Sequence, residues 1–275
     1  MPKVVLITGC STGIGRDLAW RLVQAGYRVA ATARKAETLE GLPAALKIAL
    51  DVTQSDSVNC AVAETIEKWG RIDVLVNNAG YSQPGAVEEL TEAQVQRMFD
   101  VNVFGALRLI RAVAPHMRAQ RSGQIVNISS IAGKLSTPVN GTYSATKFAL
   151  EALSDALRLE LAPFGIQVIV IEPGSVKTHF GATAQGYGQA TLANPGSPYQ
   201  PLYKLSDEFE VSMQNQAAEP GVVSEVIRQA IEAPKPKARY HANIPFSGKM
   251  MLALGGSVWD LALRRLFKVN ASNLN

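Results

Sequence analysis

Short runs of uninterrupted apolar residues alternate along the chain with longer stretches in which apolar positions recur every three or four residues. Val4 to Thr8, Arg28 to Ala33, Leu46 to Asp51, Val74 to Asn77, Gln124 to Ser129 and Gln167 to Ile171 have strand length and no clean polar face. Between them Ile14 to Ala25, Ser55 to Trp69, Thr91 to Ala119 and Thr142 to Phe164 carry the helical period, the third with a bend expected near Asn102. Gly26 and Gly165 close two of these helices, and Ser55 is the expected cap of another. Val222 to Ala233 predicts a further helix and Arg239 to Ala242 a short last strand. Strands apolar on both sides, alternating with helices, imply an α/β fold with a parallel, doubly wound sheet covered on both faces.

Ligands on such sheets bind beyond the carboxyl ends of the strands. The weight therefore falls on Gly9 to Gly15, Thr32 to Lys35, Asp51, Asn77 to Gly80, Ser129-Ser130 and Pro173-Gly174. Residues 174–220, rich in Gly, Pro, Tyr, Gln and Ser, read as one long irregular insertion, and loops of that length are usually functional. Residues 235–275 form a C-terminal extension whose Met250 to Phe267 stretch reads as an amphipathic helix. The whole of 1–275 is expected to make one domain.

Composition narrows the function classes. With 47% hydrophobic and 18% charged residues the chain is in the globular range. A net charge of +4, with scattered basic residues, argues against a nucleic-acid binder. Cys10 and Cys60 suit free thiols in a reducing compartment. His116, His179 and His241 are far apart and read as ordinary surface or loop residues, so no metal site is expected. The first apolar run is too short for a secretion signal and no stretch reaches membrane-span length, which favours a cytoplasmic protein. The terminal helix is expected to pack on the body or a partner subunit; contact with a membrane surface is the less favoured option.

The loop Thr8-Gly9-Cys10-Ser11-Thr12-Gly13-Ile14-Gly15 joins the first strand to the first helix. Its glycines admit a pyrophosphate close to the backbone, and the helix start offers free N–H groups. A structural tight turn is the competing explanation. A Rossmann-type nucleotide fold would place a ribose-reading residue at the end of the second strand. Here that strand ends Ala31-Thr32-Ala33-Arg34-Lys35, with no acid before Glu37. Arg34 would welcome a 2′-phosphate, which predicts NADP(H) over NAD(H); its alternatives are stacking on adenine or facing solvent. Asp51 is placed either to accept from an adenine amino group or to cap the turn before the next helix.

Tyr143 and Lys147 lie four residues apart, hence on one face of a helix. An ammonium beside a phenol favours the phenolate and is expected to lower the tyrosine pKa. Such a phenol exchanges protons with alcohols and carbonyls. Taken alone the spacing also occurs by chance.

Together these residues resemble the short-chain dehydrogenase/reductases, over roughly Lys3 to Thr178. The likeness is carried by Thr8-Gly-x-x-x-Gly-Ile-Gly15, Asp51-Val52, Asn77-Asn78-Ala79-Gly80, Asn102, Ser130, Tyr143-x-x-x-Lys147 and Pro173-Gly174 with Thr178. The resemblance implies that Tyr143 is the general acid/base and that Lys147 tunes it and binds the nicotinamide ribose. Ser130 would hold the reacting oxygen, and Asn102 would bend its helix and hold a relay water. Asn77 to Gly80, with Asn77, Ala79 and Gly80 as the cofactor-binding residues, would support the central sheet and line the cofactor, with Asn77 nearest the adenosine ribose. Pro173, Gly174, Val176 and Thr178 would flank the nicotinamide. One departure is that Ser11 and Thr12 stand where some NADP-using members carry a basic residue.

Apolar residues between Ser175 and Glu219 predict an apolar lid, and the extended C-terminal part resembles members acting on steroids, retinoids or other lipid-like ketones. The expected substrate is a bulky apolar carbonyl or secondary alcohol. Members of the family pair the helices matching 104–119 and 142–164 across a two-fold axis, which implies a homodimer or homotetramer. The alternative function is an NADP(H)-sensing regulator without catalysis, against which the intact Ser130, Tyr143 and Lys147 set argues.

Overall fold

The computed structural model describes residues 1–244, 248 and 256–267. Among them seven strands form one parallel sheet: β1 (Val4–Ile7), β2 (Arg28–Ala33), β3 (Leu46–Ala49), β4 (Val74–Asn77), β5 (Gly123–Ile128), β6 (Ile166–Pro173) and β7 (Arg239–Ala242). Their order is β3-β2-β1-β4-β5-β6-β7, with every neighbouring pair parallel. Strand order reverses between β1 and β4, which opens a crevice beyond their carboxyl ends.

The helices are α1 (Gly13–Gln24), α2 (Ser55–Trp69), α3 (Glu92–Phe99), α4 (Gly105–Gln120), α5 (Gly141–Leu161), α6 (Phe180–Leu192), α7 (Gln200–Asn215), α8 (Pro220–Glu232) and α9 (Gly256–Leu266). Alternate strand residues serve opposite faces of the sheet. Val5, Ile7, Val76 and Ile171 pack under Leu18 and Leu22 of α1 and Ile227 of α8. Leu6, Leu75, Ile125 and Val168 pack under Val58 of α2 and Leu109 and Val113 of α4. Each such side chain taken wholly out of water contributes about 2 kcal/mol, so neither face can be exposed. That is why the strands read as continuous apolar runs.

The Thr91 to Ala119 stretch is helical as expected, with its irregularity near Asn102. A π-turn over Asp100–Phe104 separates α3 from α4 and turns Asn102 inward. Other boundaries differ from expectation for local reasons. Pro163 ends α5 early, and Ala162–Phe164 continue as a 3₁₀ turn closed by Gly165 at φ 74°. Ser55 is not the cap of α2: Gln54 holds that position, with no side-chain cap bond.

The largest correction concerns residues 174–220. They are not a long irregular loop, because α6 and α7 occupy most of the segment. Pro201 near the start of α7 is compatible with helix, since its missing N–H would be unpaired there anyway. In α6 the absence of a side chain at Gly188 lets the helix rest on Pro84, 2.7 Å from where a Cβ would lie. Residues 250–255 of the expected terminal helix lie outside the described residues, as do 245–247, 249 and 268–275 of the extension. The α9 that follows packs on the body: Trp259 Nε1 donates to the Ser136 carbonyl at 2.7 Å, and Phe267 meets the ring of Phe209 at 5.7 Å. Among the described residues no helix is long and apolar enough to cross a membrane.

Candidate active site

A cavity of about 720 Å³ runs from the β1–α1 loop, past the ends of β4 and β5, to the lid helices α6 and α7. Its nucleotide end begins at Gly9 and Gly13, whose φ angles of 74° and 59° favour glycine. Ser11, Thr12 and Ile14 complete the loop's share of the lining. Thr12 precedes α1 without a side-chain cap bond, so the first N–H groups of the helix remain available to an anion. Gly15 is not in the lining. It is buried against the loop, where a Cβ would stand 2.5 Å from both the Gly9 carbonyl oxygen and Asn78 Nδ2. A Cβ at Gly13 would meet Thr178 at 3.0 Å. A backbone this bare, at an uncapped helix start, fits a dinucleotide pyrophosphate.

Thr8 and Asn78 hold this cradle in shape. Thr8 Oγ1 accepts from the backbone N–H groups of Asn78 and Ala79, both at 3.0 Å. Asn78 Nδ2 in turn donates to the carbonyls of Thr8 at 2.8 Å and Gly9 at 3.1 Å. Asn77 was expected nearest the ribose. It supports the sheet as expected, its buried amide donating to Asn127 Oδ1 at 2.9 Å, but it does not line the cavity. Neighbouring positions at a strand end face opposite ways, so the doublet in the sequence concealed which asparagine turns to the cleft.

Arg34 lies exposed at the end of β2 on the cavity wall, with no ion pair or hydrogen bond among the described residues. Asp51 and Val52 line the same end. Asp51 Oδ1 accepts from the Thr53 N–H and hydroxyl at 2.9 and 2.8 Å, so it shapes the turn before α2 while still facing the cavity. Arg16, which the sequence did not single out, ties the loop after β2 to α1 by donating to the carbonyls of Thr38 at 2.9 Å and Glu40 at 2.8 Å. Cys10 beneath the loop is buried, which pushes its thiol up to about 12 and leaves it unreactive.

The chemical end lies between β5, α5 and α6. Ser130 Oγ accepts from the Ala132 N–H at 3.1 Å, and its hydroxyl also favours the ionised Tyr143 phenol. Lys147 Nζ stands 5.7 Å from the centre of the Tyr143 ring and donates to the Ile128 carbonyl at 2.8 Å. Ala79 and Gly80 form the facing wall. A Cβ at Gly80 would lie 3.7 Å from Lys147 Nζ, so glycine leaves the approach to the ammonium open. Pro173, Gly174, Val176 and Thr178 bound the site beyond β6. A Cβ at Gly174 would clash with the Asn243 carbonyl oxygen, so the tight join of β6 to β7 needs glycine.

One expectation about the pair is corrected. Tyr143 is not lowered. Burial pushes its phenol up to about 12, and the Ser130 hydroxyl offsets only part of that. The phenol edge opens on the cavity and the side chain is only half-buried, so solvent there moderates the push. Burial also pulls Lys147 down to about 8, against the charge of Glu151. Asn102, for its part, spends its side chain on protein groups. Oδ1 accepts from the Tyr81 N–H at 3.0 Å, and Nδ2 donates to the Tyr81 carbonyl at 2.8 Å and to Thr146 Oγ1 at 3.1 Å. It braces the wall beside Lys147 and does not line the cavity.

Aromatic rings cover this end. Phe180 of α6 lies 5.7 Å from the Tyr143 ring, and Tyr187, two turns on, lies 4.9 Å from Tyr81. Tyr203 of α7 fastens the lid by accepting from the Ala86 N–H at 3.1 Å and donating to Glu89. His241 is a surface residue on β7, as expected, and its Nδ1 lies 2.8 Å from the buried Glu172.

Residues 3–186 match the family model described as short chain dehydrogenase. Human retinol dehydrogenase 8 is 38% identical over 277 residues, covering 96% of this chain and 88% of that protein. Human 17-beta-hydroxysteroid dehydrogenase type 1 is 37% identical over 284 residues, covering 95% and 85%. A crystal structure of a short-chain dehydrogenase from Streptomyces avermitilis superposes with a TM-score of 0.80 at 36% identity, covering 98% of this chain and 97% of that one.

Proposed function

Because the chain belongs to the short-chain dehydrogenase family, whose members of this kind are NAD(P)-dependent oxidoreductases acting on CH–OH donors, we propose that it interconverts a bulky apolar ketone and its secondary alcohol with NADP(H). The main support is the convergence of Ser130, Tyr143 and Lys147 in a cavity that also contains the glycine cradle. The pyrophosphate would rest on Gly9 to Gly15, the 2′-phosphate on Arg34, and the adenine beside Asp51 and Val52. Pro173 to Thr178 would flank the nicotinamide, which supplies the hydride when bound.

The protein's own part is proton handling. A phenol pushed up to about 12 is protonated at neutral pH, so Tyr143 starts as an acid. It gives its proton to the carbonyl oxygen as charge develops there, while the Ser130 hydroxyl holds the same oxygen. The tyrosinate left behind is stabilised by the Lys147 ammonium. Asn102 keeps Tyr81 and Thr146 in place around that lysine. This order of charges favours carbonyl reduction over alcohol oxidation.

Phe180, Tyr187, Tyr203, Phe209 and Met213 on the lid, with Trp259 from α9, support an apolar substrate. The names of the two human relatives point the same way, since retinol and 17-beta-hydroxysteroids are bulky apolar alcohols. Exposed Phe104, Phe148 and Leu159 near α4 and on α5 support pairing of these helices in a homodimer or homotetramer. A cytoplasmic setting suits two unpaired cysteines.

The direct test is a panel of ketones offered to the purified protein with NADPH or NADH, followed by nicotinamide absorbance. Turnover is expected with bulky apolar ketones, faster with NADPH. Arg34→Ser should cut the NADPH preference about tenfold without lowering turnover with NADH. Equal or better use of NADH by the wild type would overturn the cofactor assignment, and inertness toward the whole panel would overturn the substrate assignment.

A further inference from the structure

A buried cluster of charges lies behind the catalytic layer and takes no part in the chemistry above. Glu151 on α5 and Glu172 on β6 are 4% and 1% exposed. Glu151 Oε2 is 3.0 Å from Lys134 Nζ and 3.0 Å from Arg239 Nε. Glu172 stands farther from the same cations, at 4.0 and 3.3 Å, and its other oxygen faces His241 Nδ1 at 2.8 Å. Arg239 also reaches Asp155 at 2.7 Å, which Arg158 holds at 2.6 Å. Two carboxyls sharing a buried site do not readily ionise together. The shorter ion pairs fall to Glu151, and burial together with the Glu151 charge pushes Glu172 up to about 7.

The cluster meets the active site along one helix face. Glu151 follows Lys147 by one turn of α5, and both side chains are buried. Gly133 packs on that turn: a Cβ there would lie 3.1 Å from Glu151 Cγ and 3.3 Å from the Lys147 carbonyl oxygen. The lysine and the carboxylate thus share one buried layer, where a charge is screened far less than at the surface.

We propose that Glu151 is a positioning residue for the reaction: its buried carboxylate, held as the anion by Lys134 and Arg239, keeps the Lys147 ammonium charged through the neutral range. The role rests on Lys147 serving the nicotinamide site as described above. Burial alone works against that charge, and Glu151 is the group that opposes it. Without the carboxylate, Lys147 would lose its proton at lower pH, closer to neutrality. Lys134 sets how much of the Glu151 field reaches the lysine.

The test is NADPH binding to the full chain between pH 6 and 10, followed by nicotinamide fluorescence, with NADH in parallel. Wild-type binding should weaken on the alkaline side as Lys147 deprotonates. In Glu151→Gln that limb should move down by roughly one pH unit. In Lys134→Gln, which removes a partly exposed cation from the same cluster, it should move up by a few tenths of a unit. Asp155→Asn, two turns from Lys147, should leave it in place. A purely structural role would lower Tm in these variants without displacing the limb; that result, or displacement of both limbs in one direction, overturns the proposal. Should Glu151→Gln fail to fold, the upward displacement in Lys134→Gln still decides. Because binding is read without turnover, an inert ketone panel would count against the substrate and not against this role.

Discussion

Replacing Tyr143 with phenylalanine is expected to lower ketone reduction about a thousandfold while changing NADPH affinity by less than about threefold. The substitution removes one oxygen and keeps the ring that packs against Phe180 at 5.7 Å. What disappears is the phenol proton donor, whose ionised form Ser130 favours. The glycine cradle, Arg34 and the residues beyond β6 are untouched, so the cofactor should still bind. Steady-state turnover measured beside fluorescence titration separates the two effects. Turnover within tenfold of wild type would remove Tyr143 from the chemistry, and loss of NADPH binding in step with turnover would make its role one of assembly.

Gly15→Ala should weaken NADPH binding about thirtyfold or more and lower Tm. The new methyl would stand 2.5 Å from the Gly9 carbonyl oxygen, a backbone atom that cannot swing aside. Relief requires the β1–α1 loop to move, at a cost of about 1–3 kcal/mol. The loop's position is fixed on its other side by Thr8, Asn78 and Ala79, so the strain falls on the phosphate cradle. Gly186→Ala is the control, because nothing lies within 4 Å of that position and binding should be unchanged. Unaltered affinity in Gly15→Ala would mean that the cofactor does not depend on the geometry of this loop.

Much of this arrangement could be read from the chain because its causes are local. A parallel strand buried on both faces needs an unbroken apolar run, and Val4 to Ile7 and Val74 to Val76 have one. The turn from β1 into α1 needs positive φ at Gly9 and Gly13, which the sequence advertises. The lid was harder. Gly181, Gly186 and Gly188 make α6 look like loop, and Gly188 serves instead to let the helix lie on Pro84. That contact joins residues a hundred positions apart, and no local pattern announces it. In α7 the spacing of Leu202, Leu205, Phe209 and Met213 does carry a helical period, hidden by the glycine- and proline-rich segment before it.

The site shows the same division. Tyr143 and Lys147 are four residues apart, so their shared helix face was legible. The direction of the Tyr143 shift was not, because it depends on walls contributed by Phe180 and the cavity beyond. Burial outweighs a cation 5.7 Å from the ring whose own charge is being pulled down. Asn102 was placed at its bend correctly, yet its partners Tyr81 and Thr146 come from two other segments. Lys134, Glu151, Glu172 and Arg239 converge from four segments, and only the fold brings them together.

The most direct measurement follows deuterium from NADPH labelled at the transferring C4 position into the product of a bulky apolar ketone. The wild-type protein should deliver the label to the carbinol carbon, on one face only, and Tyr143→Phe should deliver almost none while still binding the nucleotide. Bound NADPH with no label in the alcohol, or equal transfer by the phenylalanine variant, would contradict a proton from Tyr143 completing hydride reduction in this cavity.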